Sequence, residues 1–298
     1  MNPVHRALER ASLYFAERPT RTGLVARRLL QVPREGDEAL SQALVKEHRQ
    51  KARGDGSTAG DLVQTAWAVW ELLDLGLAPD HPAVHKPIKW LLSRQDKEGA
   101  FGLGCSPKRH EMRACEHFIG GFFAYRTSGR TIRRLTLPTG ASVTSDMGAR
   151  FLASCFALRT VLRAGRDGET LVRRHAGSLL ALPHLWDTWG GAWSPTLMAG
   201  ALAAIAYAPE PFRNQLPILA EHLALNQRPD GTWRNLDVVH AVDALAAVPL
   251  PQAREAVALA APKLAKLQTL RGTVGSGQYA DERTLVAVRA WLIAREYA

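Results

Sequence analysis

Cysteine is scarce in this chain: Cys105, Cys115 and Cys155 are the only three in 298 residues. Three thiols make no disulfide framework, and their rarity fits a reducing compartment, so a cytoplasmic location is expected. Blocks of five or more like charges are missing too, although 38 Lys and Arg against 28 Asp and Glu leave a net charge of +10 and a pI near 9.9. The basic residues are scattered, with short pairs at Arg27-Arg28, Arg133-Arg134 and Arg173-Arg174, and no basic stretch is interleaved with aromatics. A charge without a reading element attached argues against a specific nucleic-acid partner. It leaves anionic small molecules and acidic lipid surfaces compatible, so peripheral membrane contact stays open. The uncharged stretch from Thr188 to Pro209 is broken by Gly190, Gly191, Pro195 and Gly200, which makes it a poor membrane span. Met1 to Pro19 mixes polar and charged residues and does not read as a signal peptide. Strand-like alternation is almost absent, while 46% hydrophobic residues supply ample core.

What is present is a repeat. Gln227-Arg-Pro-Asp-Gly231-Thr-Trp233, Gln95-Asp-Lys-Glu-Gly99-Ala-Phe101 and Gln268-Thr-Leu-Arg-Gly272-Thr-Val274 share the form Gln-x-x-x-Gly-x-apolar. Weaker copies follow Gly56, Gly140 and Gly191, so the anchoring glycines recur at intervals of 43, 41, 51, 40 and 41 residues. A period of this size marks stacked supersecondary units. Each unit reads as a turn and two helices. The first helix is rather apolar (Asp61 to Leu75, Asp146 to Ala164, Pro195 to Tyr207, Asp237 to Val248, Asp281 to Arg295). Asp61, Ser145, Ser194 and Asp237 are placed to cap these helices, with Pro195 at a first helical position. The second helix is amphipathic, as in His81 to Arg94, where Val84, Ile88, Leu91 and Leu92 share a face. Alternation of this kind predicts an all-α protein: an (α/α)6 toroid of six hairpins, apolar helices inside and amphipathic ones outside. Residues 51–298 form the toroid in this reading, and 1–50 add helices packed on the ring, within one domain overall. The turn glycine allows a tight corner, and the glutamine upstream is free to bond orphan backbone groups.

The Gln-x-x-x-Gly-x-Trp pattern resembles the QW repeat of squalene and oxidosqualene cyclases, which protein prenyltransferase β subunits share in looser form. The resemblance runs from about Gly54 to Ala294 and implies the α/α toroid and isoprenoid substrates. Class II cyclases of this family use an Asp-x-Asp-Asp acid. Val143-Thr144-Ser145-Asp146 retains one carboxylate of the three, which makes Asp146 a catalytic candidate with a helix-start role as its alternative. The Asp-Asp-x-x-Asp of class I terpene synthases is missing. Asp237-Val238-Val239-His240 is similar to the second zinc element of prenyltransferases, so Asp237 and His240 are catalytic candidates. The preceding repeat, Trp193 to Leu197, offers neither aspartate nor cysteine, and no metal is expected there. Gly104-Cys105-Ser106-Pro107 does not match the thioester motif of complement domains that share the toroid. Gly102-Leu103-Gly104 is no dinucleotide fingerprint, and no cofactor is expected.

The second period is irregular. Cys105 to His117 is dense in ionisable groups, and Arg126 to Gly140 holds no clear amphipathic helix. Cys105, His110, Cys115 and His117 are legitimate zinc ligands, but their spacing fits no common zinc module, and residues 115 and 117 point about 200° apart on a helix. Read instead as an anion cradle, Arg109, His110 and Arg113, joined by Arg150 from the next period, offer forked donors to a phosphate or carboxylate. At least three of Arg109, His110, Arg113, Cys115, Asp146 and Arg150 are expected to converge at one mouth of the ring. The inner-helix aromatics Trp67, Trp70, Phe151, Phe156 and Trp291 are expected to line an apolar cavity, with Trp67 and Phe156 as substrate contacts. The leading functional expectation is therefore an isoprenoid-binding toroid, either cyclase-like or prenyl-transferring, acting on an isoprenoid diphosphate. A non-catalytic ligand- or protein-binding toroid is the second. The third is an (α/α)6 carbohydrate-active enzyme, suggested by Trp186-Asp187-Thr188-Trp189 with Asp187, Asp237 and Asp281 as carboxylates.

Overall fold

The computed structural model describes residues 2–95, 123, 132, 134–182, 189–190 and 194–297. Among these residues there are twelve α-helices: α1 (Pro3–Ala16), α2 (Arg21–Leu30), α3 (Asp37–Lys51), α4 (Leu62–Asp74), α5 (Pro82–Ser93), α6 (Asp146–Arg163), α7 (Thr170–Leu180), α8 (Pro195–Ile205), α9 (Leu216–Leu225), α10 (Val238–Ala246), α11 (Pro251–Lys266) and α12 (Ala280–Arg295). The strands β1 (Leu135–Thr136) and β2 (Ser142–Val143) form a two-stranded antiparallel ribbon, with Leu135 opposite Val143.

Even-numbered helices make a closed inner ring. α2 packs on α4, α4 on α6, α6 on α8, α8 on α10, α10 on α12, and α12 returns to α2. Odd-numbered helices lie outside them: α5 covers α4 and α6, α11 covers α10 and α12, and α1 covers α12 and α2. The expected all-α toroid of alternating inner and outer helices is the architecture observed. The helix that closes it is α2, drawn from the N-terminal fifty residues that the periodicity sets beside the ring. Its sequence carries three arginines in ten residues, which disguises it as a surface helix. Arg27 is nevertheless buried, because its guanidinium donates to the Phe15 and Arg18 carbonyls at 2.8 and 3.0 Å and pairs with Asp37. Those bonds tie α1, α2 and α3 together, and a buried charge is tolerable only with such partners.

Inner helices are buried nearly all round, as in α8, where Ala and Gly predominate among ten buried positions. Outer helices bury one face, as α5 does with Val84, Pro87, Ile88 and Leu91. Asp61, Ser145 and Asp237 each accept a backbone N–H in the first turn of the helix they precede, whereas Ser194 makes no such bond and α8 starts on Pro195 instead. Phe151 and Trp291 are fully buried, and the Trp291 indole donates to the Ala261 carbonyl of α11 at 3.1 Å. Trp291 thereby joins an inner helix to the outer layer.

The same tight turn occurs four times. Residues six apart pair across it, Ala52 with Thr58, Thr136 with Ser142, Gln227 with Trp233 and Gln268 with Val274, and a glycine with positive φ sits four residues into each. A side chain on Gly231 would start 2.4 Å from the Leu259 carbonyl oxygen of α11, and one on Gly272 would start 2.6 Å from that of Arg10 in α1. Both left-handed backbone and contact with the next outer helix therefore require glycine. The Gln227 and Gln268 copies also carry a clamp. The Gln227 amide donates to Gly231 and to Ala256 of α11, at 3.3 and 2.8 Å, and the Gln268 amide donates to Gly272 and to Ala7 of α1, at 2.9 and 3.0 Å. The glutamine thus fastens its own turn to the neighbouring hairpin. The copies anchored at Gly99 and Gly191 lie outside the described residues, although Gln95 itself pairs across to Phe123.

Candidate functional site

The inner helices carry charges, and the ring brings those charges together at its axis. Asp74 at the end of α4 receives Arg21 of α2 at 2.7 Å and Arg163 of α6 at 2.6 Å, with Arg289 of α12 at 3.8 Å. Arg21 also pairs with Glu71 at 3.3 Å and with Glu282. One helix further round, Arg159 of α6 forks onto Asp243 of α10 at 2.6 and 3.3 Å. Burial favours the neutral form of both aspartates, but the facing guanidiniums outweigh it and hold Asp74 and Asp243 below the usual carboxylate range. Glu71 goes the other way: burial raises its pKa more than Arg21 lowers it.

Aromatic rings are threaded through this network. The Trp70 ring has the Arg159 guanidinium at 4.5 Å and that of Arg163 at 4.0 Å, and Arg21 lies 4.9 Å from the Trp67 ring. Phe156 stands 6.1 Å from Trp67 and Tyr207 5.9 Å from Trp70. An axis lined by aromatics was expected, but its rings are stacked on cations of the protein itself. The space left among them, lined by Trp67, Trp70, Phe156, Arg159 and Thr139, is only about 20 Å³.

That constriction opens upward into a cleft of about 640 Å³ between the first turns of α2, α4 and α12 and the β1–β2 ribbon. Trp67, Leu137, Pro138, Arg21 and Glu282 border both spaces. Val63, Trp67, Leu137, Pro138 and Tyr279 give the cleft apolar walls, and among the described residues Glu71, Asp281 and Glu282 give it three carboxylates against the guanidinium of Arg21. Asp281 accepts the Tyr14 hydroxyl at 2.5 Å and the Thr22 hydroxyl at 3.4 Å. Burial, with Asp281 beside it, pushes the Tyr14 phenol up to about 12, so it remains a donor at neutral pH.

Two of the residues singled out by sequence, Trp67 and Phe156, border this space. Four others have structural partners away from it. Asp146 accepts the Ile132 N–H at 2.5 Å and Arg150 at 2.9 Å, and these bonds overcome the upward pull of burial and lower its pKa. A carboxylate so stabilised holds no proton to donate near neutral pH. Asp237 caps α10 through the Val239 and His240 N–H groups and takes both arms of Arg283, at 3.2 and 3.0 Å. His240 is 3% exposed, its Nε2 lies 3.0 Å from the Thr196 carbonyl, and burial lowers its pKa, which makes it a neutral core histidine. Arg109, His110 and Arg113 lie outside the described residues, as do Cys105, Cys115, His117 and Asp187. Of the six groups expected to converge, the structure places only Asp146 and Arg150, and these two pair with each other. The described residues contain no cluster of His, Cys, Asp and Glu that would hold a metal ion.

Of the axial and cleft charges, Asp281 stands out in the sequence only as a candidate carboxylate of a carbohydrate-active enzyme, and Arg21, Glu71, Asp74, Arg159 and Asp243 belong to no motif. Their signal is of another kind: Glu71 and Asp74 sit within Leu-Val-Gln-Thr-Ala-Trp-Ala-Val-Trp-Glu-Leu-Leu-Asp, and Asp243 within Val-Val-His-Ala-Val-Asp-Ala-Leu-Ala. A charge inside an otherwise buried helix must meet a partner.

Among solved structures, the chain is similar to a variant of the type II terpene cyclase MstE from Scytonema, in complex with geranylgeranyl dihydroxybenzoate as substrate. The likeness covers 99% of this chain and 98% of that one, with a TM-score of 0.60 and 12% identity. What the two share is the fold. No protein-family model and no curated protein matches the sequence. No helix among the described residues is long and apolar enough to cross a membrane.

Proposed function

We propose that this protein is an isoprenoid-binding α/α toroid. The observation that carries the reading is the cleft of about 640 Å³ at the starts of the inner helices, with walls of Trp67, Tyr279, Val63, Leu137 and Pro138. A cleft in which apolar walls stand beside fixed polar groups suits a small amphipathic molecule. Its setting, a toroid matched over its whole length by an isoprenoid-binding cyclase, supports the chemical class. Titrating the protein with farnesol and geranylgeraniol while following tryptophan fluorescence tests it. Saturable binding, weakened by Trp67→Ala, is the expected result; no binding by either alcohol would end the reading.

Binding without cyclisation is the second reading, and the axis favours it. Protonating an alkene needs a strong acid, yet Asp146 is held ionised and Glu71 is made a weaker acid by burial. Stabilising a carbocation needs open π faces, and Arg159 and Arg163 stack on the ring of Trp70. Incubation with squalene and with C10 to C30 diphosphates, followed by product analysis, separates the two readings. Under the second, no cyclised or transferred product forms.

A further inference from the structure

We infer that the cleft selects a cationic, amine-bearing head group in preference to a diphosphate, an inference that rests on the cleft being the ligand site proposed above. Asp281 carries it. Its carboxylate borders the cleft and is held by two neutral donors, Tyr14 and Thr22, with no cation of the protein within 4.0 Å among the described residues. Arg21, by contrast, is already charge-matched by Glu71, Asp74 and Glu282. Among the described residues, a diphosphate would meet three carboxylates and one arginine so matched, whereas an ammonium would complete the pair that Asp281 lacks.

A second observation marks the cleft as a site awaiting a ligand. Thr139, nine-tenths buried where the cleft narrows, has a hydroxyl with no hydrogen-bond partner. Buried polar atoms are seldom left so. The site thus combines an apolar wall, a positioned carboxylate and an unmet hydroxyl at its narrow end.

The experiment compares farnesylamine, farnesol, farnesyl diphosphate and octylamine by calorimetry on the full chain, wild type and Asp281→Asn. Farnesylamine is expected to bind most tightly. Asp281→Asn is expected to weaken it about ten- to hundredfold, the range of a lost charge-assisted hydrogen bond, and to leave farnesol within about twofold. Tyr14→Phe, which keeps the carboxylate and removes only its support, is expected to weaken the amine less. Equal or tighter binding of the diphosphate, or an amine affinity indifferent to Asp281→Asn in a variant with an unchanged melting temperature, overturns the inference while farnesol binding keeps the isoprenoid reading. Binding of both amines through Asp281 without farnesol sustains the inference and overturns the isoprenoid reading. Silence of all four ligands overturns both.

Discussion

The axis of the ring and the cleft above it draw on the same helices, α2, α4 and α12, yet treat charge in opposite ways. On the axis every carboxylate has a guanidinium: Asp74 has three around it and Asp243 has the fork of Arg159. In the cleft, Asp281 is held by two hydroxyls and by no cation among the described residues. Saturated charge is structural, because the pairs offset the cost of their own burial and have nothing left to offer a ligand. Unsaturated charge bordering a cavity is what a ligand can complete. Substitutions on the axis should therefore unfold the protein, and substitutions in the cleft should spare the fold and change binding.

The largest effect is expected from Asp74→Ala, which strands Arg163, takes one of the carboxylates from Arg21 and should cost about 3–5 kcal/mol in denaturant unfolding. Trp70→Ala removes a buried ring from between two guanidiniums and belongs in the same range, about 3–5 kcal/mol. A loss below about 1 kcal/mol for both would mean that the axis is not where stability lies. Trp67→Ala provides the contrast. That ring is only half-buried, so about 1–2 kcal/mol is expected, with a larger effect on ligand binding than on melting.

A smaller effect follows from pH. Burial holds His240 and His48 below the ordinary histidine value, so the fold prefers both rings neutral. Their contribution is complete above the unfolded pKa of about 6.5 and is lost as pH falls below it toward the depressed folded values. Asp74 and Asp243, depressed as carboxylates, lose theirs only below about pH 4. Melting temperature should therefore decline first from pH 6.5 and again, more steeply, in acid. His240→Gln keeps a donor for the Thr196 carbonyl and should flatten the first decline; an unaltered profile would show that His240 does not report on the fold. The smallest effect is expected at Asp281→Asn, within about 0.5 kcal/mol of wild type, since the amide oxygen still accepts from Tyr14 and the amide N–H can donate to the Thr22 hydroxyl. A loss comparable to that of Asp74→Ala would erase the distinction between axis and cleft.

The all-helical class, the hairpin alternation and the turn glycines at 56, 140, 231 and 272 were legible because they depend on local rules: apolar spacing, capping oxygens, and a left-handed backbone that glycine alone adopts freely. Trp67 and Phe156 were legible as large aromatics on inner helices. The partners of the charges were not. Asp237 and Asp146 are catalytic candidates by motif, and the structure places the first in a helix cap paired with Arg283 and the second in a pair with Arg150; a sequence shows a carboxylate and not the arginine that folds onto it.

Sequence by itself therefore determined that this chain makes helices, in pairs, around tight glycine turns, since those outcomes are settled within a few residues of each other. Only the tertiary structure decided that α2 closes the ring, that Arg159 meets Asp243 across 84 residues, and that Tyr14 reaches Asp281 across 267. Ring closure sets those distances. Which charges end paired and buried, and which one is left facing a cleft, depends on the geometry of all six inner helices at once.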